Sequence, residues 1–272
     1  MGQKTNPNIF RIGLQQNSWN SKYLAKKLDE SSIYLFNDLE IKKYLDTFFK
    51  KYGLIIHSYK LQHIGNKLFI SISYVITLKG IRFVNFSRKN LSQISKNSLN
   101  NFVEIILESL SIFTRRIPLI LLTLQNLNKC LFLNFKKDYL KILKTKKLQL
   151  RKFSKKPFFS ETLAISIIVM NFKKSSKLLS ELIVLQLKRL KKQTLFILFL
   201  KQILFLFAKS QISRVKGIKV IIYGRFNNLP RSSSKKILIG KIPLQTIGAK
   251  IDYFQNTLFT LSGTFGINVW IF

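Results

Sequence analysis

The chain is short of the side chains that do most enzymatic work. Its 272 residues include one cysteine, Cys130, two histidines, His57 and His63, and only 11 aspartates and glutamates. A single cysteine excludes an internal disulfide framework and fits a reducing or organellar compartment. Apart from Lys129 nothing near Cys130 would activate a thiolate, so it reads as a small buried apolar residue. The histidines lie six positions apart on or beside a strand pair, a spacing that suits no zinc site. After Glu181 only Asp252 remains among the acids, so residues 182–272 cannot hold the carboxylate pair that acid–base or metal chemistry draws on. No Walker loop, GxSxG elbow, HExxH or CxxC occurs. These absences argue against an enzyme and imply neither cofactor nor metal.

Long apolar runs are missing too. Residues 253–272 carry no charge, but Gln255, Asn256, Thr257, Thr260, Ser262, Gly263, Thr264, Gly266 and Asn268 interrupt them, well short of the roughly 18–20 apolar residues of a spanning helix. That stretch ends as strand. The runs Leu68–Leu78, Ile117–Asn128 and Thr162–Phe172 are core elements, and no stable membrane insertion is expected.

What is present is positive charge. Lys and Arg number 47, giving a formal net charge of +36, a self-repulsion that favours expansion unless a polyanion neutralises it. Hydrophobic residues at 47% and aromatics at 13% are too abundant for a disordered basic tail, so the chain folds. The richness in Phe, Ile, Lys and Asn suggests an A+T-rich coding sequence. No acid precedes Asp29, whereas Lys4, Arg11, Lys22, Lys26 and Lys27 do. A mitochondrial presequence shares that pattern, yet Pro7, Gly13, Asn6, Asn8, Asn17 and Asn20 break the amphipathic helix such a signal needs.

The expected organisation is α+β in four parts. Residues 1–36 form a basic arm. Residues 37–127 follow a helix, strand, strand, helix, strand order: a helix over 37–51 stopped by Gly53, strands over 54–61 and 68–77 joined by Gly65-Asn66, a helix over 99–112 and a strand over 117–124. Residues 128–179 are a basic insertion; positions 128–160 hold 11 cations against Asp138 and read either as a linker lying on nucleic acid or as a solvated spacer. Residues 180–272 carry helix to about 215, then strands over 218–223, 237–246 and 266–272 in a mostly antiparallel sheet.

Each phosphate neutralised by Lys or Arg releases counterions and gives a salt-dependent affinity. The cations are spread along the whole chain rather than gathered on one recognition helix, which favours a protein embedded in folded RNA. Arg225 and Arg231 flank a loop rich in Asn and Ser, where each guanidinium can fork onto phosphate. Gly263-Thr264-Phe265-Gly266 is a bare GxxG without cations and reads as a turn leading into a strand.

Both ends carry specific residues. Met1-Gly2-Gln3-Lys4-Thr5-Asn6-Pro7-Asn8, Arg11-Ile12-Gly13 and Trp19-Asn20-Ser21 resemble the start of the bacterial-type small-ribosomal-subunit protein three family. Gly217-Ile218-Lys219-Val220, Gly224-Arg225, Gly240-Lys241-Ile242-Pro243-Leu244-Gln245-Thr246, Ala249, Ile251-Asp252-Tyr253 and Gly266 with Val269-Trp270-Ile271-Phe272 resemble its end. The resemblance implies an N-terminal arm, a type II KH domain and a C-terminal α+β domain in the head of the small subunit. It also implies small-subunit rRNA, mRNA and neighbouring head proteins as partners. Carried onto this chain, it puts Lys4, Arg11, Trp19, Lys22, Arg225, Arg231 and Lys241 on rRNA.

Two departures accompany it. Where the family's Ile-Gly-Lys-Lys-Gly-like loop should follow Val75-Ile76, the chain reads Thr77-Leu78-Lys79-Gly80-Ile81-Arg82, so the KH domain is degenerate, with Lys79, Arg82, Arg88 and Lys89 left as possible RNA contacts. The family's Phe-Arg-Arg-x-x-Lys-like run at the channel where mRNA enters is reduced to Phe196–Lys201, which keeps only Lys201. Lys188, Arg189, Lys191 and Lys192 are the substitutes there, for pore lining more than for unwinding. The degenerate loop, the insertion and the compositional bias look mitochondrial rather than plastid, with synthesis inside the organelle. The alternatives from other classes are a peripheral membrane protein holding anionic lipid through residues 128–160 and an RNA-processing enzyme.

Overall fold

A computed structural model describes residues 5–13, 19–65, 67–80, 97–114, 119–128, 137–170, 174–190, 193–210, 213–227, 233–261 and 263–272. It divides into two compact units, residues 18–130 and residues 1–17 with 131–272. The expected arm of residues 1–36 is therefore shared between units, and the insertion joins the C-terminal one.

In the N-terminal unit the short strand β1 (Ser21–Lys22) runs parallel to β2 (Leu54–Ile64). Helix α2 (Leu28–Lys51) begins nine residues before the expected Asn37 and ends at the turn where Gly53 has φ 73°. Strand β3 (Lys67–Ile76) is antiparallel to β2, and β4 (Leu119–Asn126) is parallel to β3 after helix α3 (Asn97–Phe113). The sheet order is β1-β2-β3-β4, with α2 and α3 covering one face because Ile41, Leu45, Phe49, Phe102, Ile106 and Leu110 fall at helical spacing and bury against Leu61, Leu68, Ile70 and Ile72. The Asn128 side chain closes the unit, accepting from Ile76 N at 3.1 Å and donating to Ile76 O at 3.0 Å.

The C-terminal unit opens with the single helical turn α1 (Pro7–Phe10). Helix α4 (Lys137–Gln149), a 3-10 turn over Arg151–Phe153 and helix α5 (Phe159–Ile168) fill the insertion. Its phenylalanines decide its place: Phe153, Phe158 and Phe159 lie 5.1, 5.2 and 5.8 Å from the Phe199 ring, while Lys141, Lys144, Lys147, Lys155 and Lys156 stay exposed. The described part of the insertion is thus helical rather than an open linker, with residues 158–170 packed into the core and helix α4 largely exposed. The helix expected over 180–215 is two, α6 (Ser176–Arg189) and α7 (Gln193–Ala208), separated where Leu190 adopts an extended backbone.

Strands β5 (Gly217–Tyr223), β6 (Ser234–Gly240), β7 (Asp252–Thr260) and β8 (Gly263–Ile271) pair antiparallel throughout in the order β6-β5-β8-β7. Strand β7 is additional to the three strands expected from the sequence. Helix α6 packs across β7 and β8, and α7 against β6, burying Ile218, Val220, Ile222, Phe265, Ile267 and Val269. The close crossing at the start of β5 requires glycine. A Cβ at Gly240, φ 72°, would sit 2.2 Å from Lys216 O.

The opposite face is partly covered by the irregular segment 241–251. Ile242, Leu244, Ala249 and Ile251 pack there on Ile221, Tyr253 and Trp270. Arg11 holds the segment down. Its guanidinium donates to Pro7 O at 3.1 Å, Leu244 O at 2.8 Å and Thr246 O at 2.9 Å, and its residue exposure is 1%. Asn8 completes the arm's docking on the edge of β7, donating from Nδ2 to Tyr253 O at 2.8 Å and accepting from Tyr253 N at 3.2 Å. Replacing Arg11 with alanine leaves those carbonyls without their charged donor, so Arg11→Ala is expected to destabilise the C-terminal unit by about 3 kcal/mol. Arg11→Lys should restore less than half of that, because an ammonium cannot fork to carbonyls on two segments. Urea unfolding of the three proteins measures it.

Candidate nucleic-acid interface

The residues expected on RNA separate by unit. In the N-terminal unit β1 is seated by Leu61 N donating to Asn20 O at 2.7 Å, which fixes Trp19 and Lys22 beside the end of β2. Beneath them lies a polar anchor that no sequence motif marks. Ser21 Oγ donates to one Asp38 oxygen, and the other is 2.7 Å from His63 Nε2. The side chains of Asp38 and His63 are 6% and 3% exposed. Tyr34 packs on His63 at 4.9 Å and on Tyr23 at 5.3 Å. The result is a cleft of about 640 Å³ bordered by Trp19, Lys22, Tyr23, Leu24, His63 and Ile64, with Trp19 68% exposed. The alternation of β2, which turns Leu61 and His63 inward together, was the only available signal for the histidine.

In the C-terminal unit Arg11 departs from expectation. The structure turns it inward onto carbonyls, so its function there is to bind protein and not phosphate, and burial pushes its guanidinium pKa down without removing the charge. Arg225 and Lys241 lie at opposite ends of the sheet, just past Tyr223 and Gly240. Lys241 is exposed and Arg225 half-buried. The turn after Arg225 is tied to the start of α7: Asn227, at φ 46°, accepts from Gln193 N at 3.2 Å and donates to Thr194 Oγ1 at 3.2 Å. This brings Arg225 to the neighbourhood that follows Lys188 and Arg189. Lys201 is exposed on α7. Lys4, Arg231, Lys191 and Lys192 fall outside the described residues, as do Arg82, Arg88, Lys89 and Cys130.

Arg189 is already engaged. Its Nη1 is 2.7 Å from Glu161 Oε2, which Gln186 Nε2 also reaches at 2.7 Å. Glu161 is buried, and the pair locks α5 to α6. Asp252 is likewise structural: its carboxylate accepts from Ser176 N at 2.6 Å and Ser176 Oγ at 2.8 Å, anchoring the start of α6 on β7. Among the described residues no three His, Cys, Asp or Glu side chains gather as a metal site. No described helix is long and apolar enough to cross a membrane.

Burial raises the pKa of Asp252 above its ordinary 3.8, against the opposing pull of its bonds to Ser176 and Tyr253. The folded unit therefore holds that proton more tightly than the unfolded chain. Its contribution to stability is full below 3.8 and falls as pH rises through the raised value. Asp252→Asn removes this dependence, so the stability of the variant relative to the parent should climb as pH rises from about 4 toward neutrality. Unfolding curves across that range test it, and a flat or reversed difference would count against the assignment.

Comparison with known proteins points to one family. Residues 189–271 match the family described as ribosomal protein S3, C-terminal domain. The small ribosomal subunit protein uS3c of Euglena longa is 46% identical over 57 residues, covering 21% of this chain and 26% of that protein. That of Gracilaria tenuistipitata is 35% identical over 99 residues, 36% of this chain and 43% of the relative. The small ribosomal subunit protein uS3 of Dictyoglomus turgidum aligns over all 272 residues at 25% identity, covering 83% of its length. The matched segments thus span less than half of the two plastid relatives.

Proposed function

We propose, from the match of residues 189–271 to the C-terminal domain of ribosomal protein S3, that this chain is a non-enzymatic structural constituent of a small ribosomal subunit. It binds small-subunit rRNA in the head, lines the channel where mRNA enters, and packs against neighbouring head proteins. The observation that carries the reading is how the charges are disposed. Asp38, Glu161 and Asp252 are spent on buried bonds to His63, Arg189 and Ser176. With 47 cations and 11 acids, at least 36 cations have no carboxylate partner even in one-to-one pairing, and they are spread over both units. That is the pattern of a protein surrounded by phosphate.

In this reading residues 37–127 are a degenerate KH-like domain of type II, supported by the helix, two antiparallel strands, helix and parallel strand of the N-terminal unit. The rRNA contacts are Lys4, Trp19, Lys22, Arg225, Arg231 and Lys241, with Arg11 holding the arm that presents the first of them. Lys188, Lys191, Lys192 and Lys201 face mRNA, and Arg189 positions the end of α6. The ribosome is mitochondrial, a reading supported by the lost GxxG and the Phe, Ile, Lys and Asn bias, although the similar proteins named above are plastid and bacterial.

The chain should sediment with small subunits from purified mitochondria and leave them only at high salt. Recovery as a soluble monomer from intact organelles overturns the assignment, and recovery with plastid subunits overturns the compartment alone. Charge reversal at Arg225 and Arg231 together should reduce assembled heads in sucrose gradients. Normal subunits from that double variant would remove both from the contact set.

A further inference from the structure

The sheet of the C-terminal unit is only half covered on the face away from its helices. Strand register lays this face out in rows. Leu238, Lys219, Trp270 and Tyr253 form the first row, where the 241–251 segment and the arm pack on Trp270 and Tyr253 and leave Leu238 66% exposed. Lys236, Ile221, Asn268 and Gln255 form the second. Ser234, Tyr223, Gly266 and Thr257 form the third, and Thr264 pairs with Phe259 beyond it. The cover stops within the second row, since Lys236, Gln255, Ser234, Thr257 and Thr264 are all exposed.

Two aromatic rings stand on the open part, Tyr223 at 45% exposure and Phe259 at 75%. Between them the surface is low. Gly266 has no side chain, and a Cβ built there would only touch the Tyr223 side chain at 3.9 Å. Two strand spacings and two residues of rise separate the rings by about 12 Å, room for neighbouring unstacked bases. The amides of Asn268 and Gln255 border the low ground on one side. Lys236 stands in the same row beyond Ile221, and Lys219 sits behind it over the Trp270 ring at 5.0 Å. The face carries no acid: Asp252, the only one in the four strands, is turned to the helix side, where it holds Ser176.

We infer that Tyr223 and Phe259 form a stacking platform for unpaired RNA bases, with Asn268 and Gln255 within reach of base edges and Lys236 on the backbone. The inference deepens the rRNA reading and rests on it. Positive charge without acids selects a polyanion. Exposed rings beside hydrogen-bonding amides on an open sheet select a single strand, because a duplex hides its base faces. Stacking accepts any base, so the platform tolerates sequence and takes RNA where a loop or bulge unstacks it.

The test uses the full chain, a fluorescently labelled oligoadenosine strand and an RNA duplex of equal phosphate number, with affinity followed against salt. Tyr223→Ser and Phe259→Ser should each weaken binding of the single strand roughly 5- to 100-fold. They should leave duplex binding and the salt slope unchanged, while Tyr223→Phe keeps most of the affinity. Lys236→Ala should lower the salt slope by about one unit. All these side chains are exposed, so unchanged circular dichroism is expected. If the parent binds RNA but the serine double variant binds the single strand equally well, the platform is overturned and the rRNA reading stands. If the double variant keeps RNA affinity yet fails to enter subunits, the face contacts protein, which also overturns the platform. If the parent binds neither RNA, both readings fall.

Discussion

The guanidinium of Arg11 is the joint on which the C-terminal unit depends. Segment 241–251 forms no strand, and the carbonyls of Leu244 and Thr246 accept from Arg11. Buried carbonyls need donors. Only a planar group with several N–H bonds can serve a helical turn and two points on a separate loop together. With the segment held down, Ile221 and Trp270 gain their cover from Ala249 and Ile251. The same tether sets where the cover ends, which decides how much of the sheet stays open.

Opposite charges have separate duties in this molecule. The described acids include three that act inside it, positioning a strand through Asp38, a helix pair through Glu161 and a helix start through Asp252. Among the described residues most cations face outward; Arg11, buried on carbonyls, and Arg189, turned back to satisfy Glu161, are exceptions. Surface lysines contribute little to folding by themselves. Their repulsion is a liability until phosphate arrives, and the large aromatic clusters around Phe199 and Phe102 oppose that liability in the unbound chain.

Regular elements with strong periodicity were readable in advance, and the residues that organise them were less so. The alternation of residues 68–77 and the stripe from Leu39 to Phe49 gave β3 and most of α2 directly. The first turns of α2 escaped notice because Ile33, Leu35 and Phe36 remain exposed, so no inward stripe marks them. In the insertion the recurring lysine pairs hid the signal carried by Phe153, Phe158 and Phe159, whose partner lies some forty positions later. Arg11 misled for a related reason. A cation in a basic arm resembles every other cation until the carbonyls that receive it are known, and those stand 233 and 235 positions away. The open sheet face was legible residue by residue but not as a face, since register alone puts Tyr223 beside Gly266.

The docking of Asn8 on Tyr253 spans 245 positions, and time is attached to that span. During synthesis the arm leaves the translating ribosome long before β7 exists to receive it. Until then it is an unclaimed basic strand of chain, and its contacts are among the slowest to form because loop closure must precede them. RNA present in that interval meets the arm first. Closing the clasp is therefore a late event in the life of the fold, and one that a nucleic-acid surface has the opportunity to anticipate.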